Sequence, residues 1–324
     1  MFFFRSLKEA AEIYDPVPDD VPMPGVAAFF DITKRHTPKA CILDVWEIRE
    51  KEHFDVPNLD ILTPSQKIQI FFNCHGCFGT ECKTECTQLL ADDIEYTLEE
   101  IELIDKATEG QHLNSNWLDM RRGLLTASTF HSVCTSRNGI KTAVNILNGT
   151  PWDEDEPPDH IEFGNRFEPK ARDEFLKGHR FRHRGCHVSV PGLRLDAKNP
   201  FLGASPDGIF TCKKCVHDKV LLEIKCLSSK RTFQPGTALT LLKICTRQED
   251  GSLAMNKKHR YYYQMQGQMA ITGIHMCYLV AYTYKGIKDV EVPYDKEFSE
   301  NMISKLNDFY EKYCFPIFKA VGHA

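Results

Sequence analysis

The sequence predicts an α/β fold, a central mixed β-sheet flanked by helices, with a small cysteine-rich accessory region at its N-terminal end. Three observations carry that expectation. From residue 108 onward the segments read helix, helix, strand, strand, strand, helix, strand, helix. Two apolar runs flank Cys212-Lys-Lys-Cys215 as the arms of a β-hairpin. A long amphipathic pattern from Phe298 to Phe318 closes the chain as a helix. Strands interleaved with helices in this way point to layers of helix on sheet.

Taken in order, a short leading helix gives way to Pro16, Pro18, Pro22 and Pro24, which make residues 15–24 extended or irregular. Residues 1–107 form the accessory region, holding a four-cysteine cluster and then an acidic helix. In that helix Leu98, Ile101 and Ile104 recur at three-residue steps. Asn114–Asn116 breaks the pattern and Trp117 opens the next, so residues 108–321 are read as the larger domain. Thr126 or Ser128 is expected to cap the helix running through Phe130 and Val133. Residues 151–158 are a proline-rich acidic loop. Phe163–Lys177 is helical, with Phe167, Ala171 and Phe175 at i, i+4 and i+8. Phe181–Val190 alternates and reads as a strand with Arg180, Arg182 and Arg184 on one face. That face would either contact DNA phosphates or guard a sheet edge with charge. Residues 228–258 are loop-rich with a short apolar patch at Ala238–Cys245. Tyr261–Ile271 is helical, with Tyr262 expected in the core, and Met276–Tyr284 is a strand.

With 324 residues, 42% hydrophobic and 26% charged, the chain has the make-up of a soluble globular protein. No apolar run reaches membrane-span length, and the leading Met-Phe-Phe-Phe is stopped by Arg5 before it could form a signal-peptide core. The expected setting is intracellular and soluble, nuclear if the source is eukaryotic. The net charge is −5, but it is segregated. Residues 92–109 carry eight acidic groups against Lys106 alone, and residues 153–162 carry six with no Lys or Arg. Setting aside −7 and −6 for these segments leaves the rest of the chain at +8, enough for a basic working surface.

The chemistry-bearing pattern is Gly203-Ala-Ser-Pro-Asp207-Gly208 followed by Leu221-Leu-Glu223-Ile-Lys225-Cys226. Residues two apart on a strand share a face, so Glu223 and Lys225 point one way while Leu222 and Ile224 point to a buried side. A charged pair on such a strand is costly unless the site is polar or filled by a metal. Asp207 sits in a Pro-Asp-Gly bend, where its carboxylate can be held beside the next strand. Two carboxylates can hold Mg²⁺ through hard oxygen donors and leave positions for water and phosphate. Lys225 can orient or help deprotonate the attacking water. Glu168 is a third carboxylate for the same or a second metal position. Alone, an Asp…Glu-x-Lys match arises often by chance.

This pattern is one of four blocks that occur in order along the chain. They are Trp117-Leu-Asp-Met-Arg121-Arg-Gly123-Leu-Leu-Thr126-Ala-Ser128, Phe163-Gly-Asn-Arg-Phe-Glu168-Pro-Lys-Ala171, the catalytic hairpin itself, and Tyr261-Tyr-Tyr-Gln264-Met-Gln266-Gly-Gln268. Together, over about residues 108–318, they resemble the lambda-type alkaline exonuclease family, also called YqaJ-type viral recombinases. That family belongs to the restriction-endonuclease-like superfamily with its PD-(D/E)xK signature. The resemblance implies Asp207 and Glu223 as Mg²⁺ ligands beside the Ile224 carbonyl, with Mn²⁺ able to substitute. It implies Lys225 as the residue acting on the water and Glu168 as a contributor to a second metal site. It places Arg121, Ser128 and Ser205 at the DNA 5′ phosphate and Gln264 near the scissile phosphate. On physical grounds alone, Arg121 would more often be a surface charge and Ser128 a helix cap. The implied activity is a 5′-to-3′ exonuclease on double-stranded DNA ends, in recombination or repair. Implied partners are DNA with free ends, a single-strand annealing protein and further copies of the chain. An endonuclease on the same core and a non-catalytic zinc-containing DNA-binding adaptor are the alternatives. The chain departs from the family at Leu227, where proline is common, and in the Cys-Lys-Lys-Cys inserted at the hairpin turn.

Thirteen cysteines are too many, and odd in number, for a fully paired scaffold. Cys74-x2-Cys77-x4-Cys82-x3-Cys86, interleaved with glycines, fits a tetrahedral Zn²⁺ site. Free thiols and an iron–sulfur cluster are the other readings. Cys212 and Cys215 supply half a site, to be completed from elsewhere or to remain a bare hairpin turn.

Overall fold

The element that organises the fold is β6 (Lys219–Cys226), the middle strand of a five-stranded mixed sheet. In the computed structural model the described residues are 59, 61–75, 94–148, 158–213, 215 and 217–321, with backbone only at 69, 71–75, 148 and 319–321. Strand β6 pairs antiparallel with β5 (Gly208–Thr211) and parallel with β9 (Met276–Thr283). The outer strands are β10 (Gly286–Pro293) beside β9 and β2 (His187–Ser189) beside β5. A parallel neighbour requires a crossover, supplied here by residues 227–275. The α/β class and the hairpin over Cys212–Cys215 are as expected from the sequence. Strand β10 is an addition, its Val290 and Val292 facing inward as alternate residues should.

Helices cover the sheet. The long helix Asp159–Arg180 packs Phe163, Ala171 and Phe175 against Phe210, Leu222 and Tyr282. On another face, Leu221, Leu279 and Ala281 meet Tyr262, Met265 and Met269 of the helix Arg260–Thr272. Tyr262 is therefore core, as expected. A separate apolar cluster joins Ile101 and Ile104 of the acidic helix Leu98–Ala107 to Leu124, Leu125, Phe130 and Tyr310. Thr97 and Glu100 form a reciprocal cap at the start of that helix. Its Asp105 accepts from the Gly192 amide at 2.8 Å and pairs with Arg194 at 3.1 Å, fixing the segment to the chain before β4 (Leu202–Ala204).

Three local expectations are corrected. Neither Thr126 nor Ser128 caps the helix Phe130–Cys134: a 3-10 turn over Ala127–Thr129 intervenes, and the two hydroxyls meet each other at 3.1 Å. Phe181–Val190 is not one strand. The helix runs on to Arg180, Gly185 turns the chain at φ 78°, and only His187–Ser189 joins the sheet, at its edge. Phe181 is 92% exposed, so the alternation had no apolar face to bury. The closing helix is interrupted. A π turn at Tyr310–Cys314 separates Lys296–Phe309 from Phe315–Val321 and lets the buried Tyr310 hydroxyl reach the Gly123 carbonyl at 2.5 Å. The loop Pro151–Pro157 and the first 58 residues lie outside the described residues.

Candidate active site

Strand β5 begins at Gly208, and past that pairing the flank of β6 has no strand partner among the described residues. The Asp207 side chain takes that place: its Oδ2 accepts from the Ile224 amide at 2.6 Å, and its own amide donates to the Leu222 carbonyl at 3.1 Å. In an extended strand one residue's N–H and C=O point the same way, so the Ile224 carbonyl is directed to the side β5 has left. Glu223 is fully buried. Its Oε1 pairs with the Lys225 ammonium, two residues along on the same face, and its Oε2 accepts from Gln268 Nε2 at 2.7 Å. Glu168 is delivered by the long helix. Arg172, one turn later, holds Glu168 Oε1 at 2.5 Å through Nη2 and the Asp207 carbonyl at 3.0 Å through Nε.

Asp207, Glu223, Glu168 and Lys225 thus form one electrostatic group. Burial, then the charge of Asp207, raises the Glu168 carboxyl to about 8 against the opposing pull of Arg172 and Lys225. Burial and Asp207 likewise raise Glu223 to about 7, opposed by Lys225 and by the Gln268 hydrogen bond. Asp207 is also raised, by burial. Burial works against the Lys225 charge, but Glu223 and Asp207 outweigh it and hold the ammonium well above its ordinary value. Three carboxyls crowded around one ammonium and one guanidinium form an oxygen donor set of the kind hard divalent cations take.

A second patch begins two residues upstream of Asp207. Ser205 Oγ accepts from Trp117 Nε1 at 2.8 Å, and the Arg121 guanidinium lies over the Trp117 ring, 4.0 Å from its centroid. Arg121 Nη2 reaches Thr126 Oγ1 at 3.5 Å, and Thr126 meets Ser128. The left-handed Gly123, φ 85°, is what turns the chain after Arg121 so that Thr126 and Ser128 come back beside it. Burial lowers the Arg121 value to about 10, and among the described residues no carboxylate pairs with it. Arg121, Ser128 and Ser205, far apart in sequence, are therefore parts of one patch.

Gln264 stands one helical turn before Gln268 and makes no hydrogen bond to the carboxylates; the Glu223 contact belongs to Gln268. Tyr261 lies beside the group, its ring centroid 5.0 Å from Lys225 Nζ. The sequence reading missed Arg172, Gln268 and Gln111. Gln111 Nε2 donates to the Pro206 carbonyl at 2.9 Å and so steadies the bend that carries Asp207. Arg172 at i+4 from Glu168 was the one available signal, being a helical ion-pair spacing. The side chains of Cys74, Cys77, Cys82 and Cys86 lie outside the described residues.

Residues 116–275 match the model of the YqaJ-like viral recombinase domain. An alkaline exonuclease (LHK-Exo) from Laribacter hongkongensis is similar in structure, at 24% identity and TM-score 0.46 over 65% of this chain and 95% of that one. The shutoff and exonuclease protein of Kaposi's sarcoma-associated herpesvirus gives 14% identity and TM-score 0.46 over 78% and 82%. A phage-related exonuclease from Haemophilus somnus 129PT gives 15% identity and TM-score 0.40 over 61% and 96%. No curated protein matches.

Proposed function

From a chain that carries a YqaJ-like viral recombinase domain over residues 116–275, we propose a Mg²⁺-dependent exonuclease that degrades double-stranded DNA from a 5′ end, in recombination or repair. The observation that carries this reading is the adjacency of two opposite patches. The carboxylate group around Asp207 and the Arg121 guanidinium, which pairs with no carboxylate among the described residues, are joined through Ser205-Pro206-Asp207. One suits a cation and the other an anion, the pairing needed to hold a phosphate end near a metal-assisted hydrolysis.

Asp207, Glu223 and the Ile224 carbonyl would hold Mg²⁺ or Mn²⁺, with Glu168 contributing to a second position. The ion, when bound, stabilises charge at the phosphorus and eases deprotonation of a bound water. Lys225, held as an ammonium against Glu223, orients the attacking water as a donor. Gln268 fixes Glu223, and Arg172 fixes Glu168 and the bend. Arg121, Ser128 and Ser205 take the 5′ phosphate, and Gln264 faces the scissile phosphate. The partner is DNA with free ends, with a single-strand annealing protein and further copies of the chain as additional partners. The cluster Cys74, Cys77, Cys82 and Cys86 is assigned structural Zn²⁺. Among the described residues no helix is long and apolar enough to cross a membrane.

The test is degradation of 5′-phosphorylated linear, 5′-hydroxyl linear and closed circular duplex in Mg²⁺. Linear 5′-phosphorylated DNA should be lost fastest and closed circles should survive. Circles cut as fast as linear DNA would indicate an endonuclease. Lys225→Ala should lower the rate by ~100-fold or more; a wild-type rate in that variant would sink the assigned centre.

A further inference from the structure

Away from the carboxylate group, at the other end of β5 and β6, two short turns meet. One is the hairpin turn with Cys212 and Cys215; the other follows the Glu168 helix and carries His183 and Cys186. His183 Nδ1 lies 2.8 Å from Cys215 Sγ and 3.7 Å from Cys212 Sγ. The three ligand atoms all fall within 4.8 Å of one another. Cys186 is buried in the same apolar cluster as Cys212, against which Cys215 packs, and its sulfur lies outside the close set of three.

The spacing is that of two ligand pairs, His183-x2-Cys186 and Cys212-x2-Cys215, each on a tight turn. Zn–S near 2.3 Å and Zn–N near 2.0 Å in a tetrahedron set nitrogen and sulfur about 3.6 Å apart. The contact to Cys212 already has that separation, and the one to Cys215 opens to it by under about 1 Å. The His183 ring is fixed edge-on to Phe210 and stacked on His179, so its nitrogen is presented rather than free to swing.

We propose that His183, Cys212 and Cys215 bind a structural Zn²⁺, with Cys186 turning in as the fourth ligand so that all four positions are filled by protein. The ion would clamp the end of the helix that delivers Glu168 to the hairpin that delivers Glu223. It would add to the packing of Phe175, His179 and His183 on Phe210 at this edge. The site stands independently of the nuclease reading.

Elemental analysis of the full chain, purified under reducing conditions, tests it. The Cys212→Ser/Cys215→Ser protein should hold one zinc fewer per chain than wild type, whatever other cysteines bind. Equal zinc in the two proteins, zero included, overturns the site, as does a Cys212–Cys215 disulfide in the purified wild type. Should the double variant fail to fold, His183→Ala and Cys186→Ser give a second measurement. Each should weaken zinc binding by ~10-fold or more in a chelator competition, since even outer-shell changes cost that much. Each should also alter the visible spectrum of the Co²⁺-substituted protein. Unchanged affinity and spectrum in both would dismiss these ligands.

Discussion

The two patches that meet at Ser205-Pro206-Asp207 are built from opposite excesses. Around Asp207, three carboxyls share Lys225 and Arg172, and the result is raised carboxyl values. Around Arg121, a cation is desolvated against Trp117 and the Thr126 hydroxyl, with no acid among the described residues to offset it. A purely structural ion network would have brought the two together as a salt bridge. In the function proposed above, the first excess takes a metal and the second a phosphate.

The comparison breaks most sharply at Arg121. Arg121→Ala should slow degradation of 5′-phosphorylated ends by about 10–100-fold, the worth of a charge-assisted phosphate contact. It should leave the rate on 5′-hydroxyl ends near wild type. An equal loss on both substrates would make Arg121 a structural residue of the Trp117 stack.

The carboxylate side is sharpened by pH. Because the folded Glu168 and Glu223 hold protons to about 8 and about 7, a divalent cation must displace them. Mg²⁺ affinity should therefore climb as pH rises through that window and level off above it. Calorimetry in buffers of different ionisation enthalpy should record proton release near neutrality that vanishes at higher pH. The sign for stability is opposite. These carboxyls bind protons more tightly folded than unfolded, so their contribution to the metal-free protein falls as pH rises from the ordinary carboxyl range toward about 8. Mg²⁺ should accordingly raise the melting temperature more at the alkaline end, and a pH-independent increment would contradict the assignment.

The smallest effect concerns the spacing between the patches. Gly267 lets the helix carrying Gln268 lie against Phe130, just beyond the turn holding Ser128; an added Cβ would overlap the Phe130 ring. Gly267→Ala should cost about 1–3 kcal/mol in denaturant unfolding. It should move both phosphate-end preference and metal affinity slightly, where a change in only one would show the patches to be mechanically separate.

Much of this was legible along the chain. The Glu223-x-Lys225 face, the buried Leu222 and Ile224, the bend at Asp207 and the helical Glu168 follow from strand and helix periodicity acting over a few residues. The same periodicity misled at Phe181–Val190, where alternation alone could not say that Phe181 would find nothing to pack on. It also could not choose between Gln264 and Gln268. They share a helix face, and only the register of that helix against β6 brings Gln268 to Glu223.

What the sequence determined by itself is the set of chemical groups and their local pairing, because backbone geometry dictates which neighbours share a side. What the tertiary structure alone decided is which distant groups meet. Arg172 holds a carbonyl 35 residues away, Gln268 a carboxylate 45 away, Trp117 a hydroxyl 88 away and Gln111 the Pro206 carbonyl 95 away. His183 is set against Cys215 across 32 residues. No spacing rule encodes such contacts. They are fixed by how apolar faces of separate elements pack, and the polar groups arrive wherever that packing carries them.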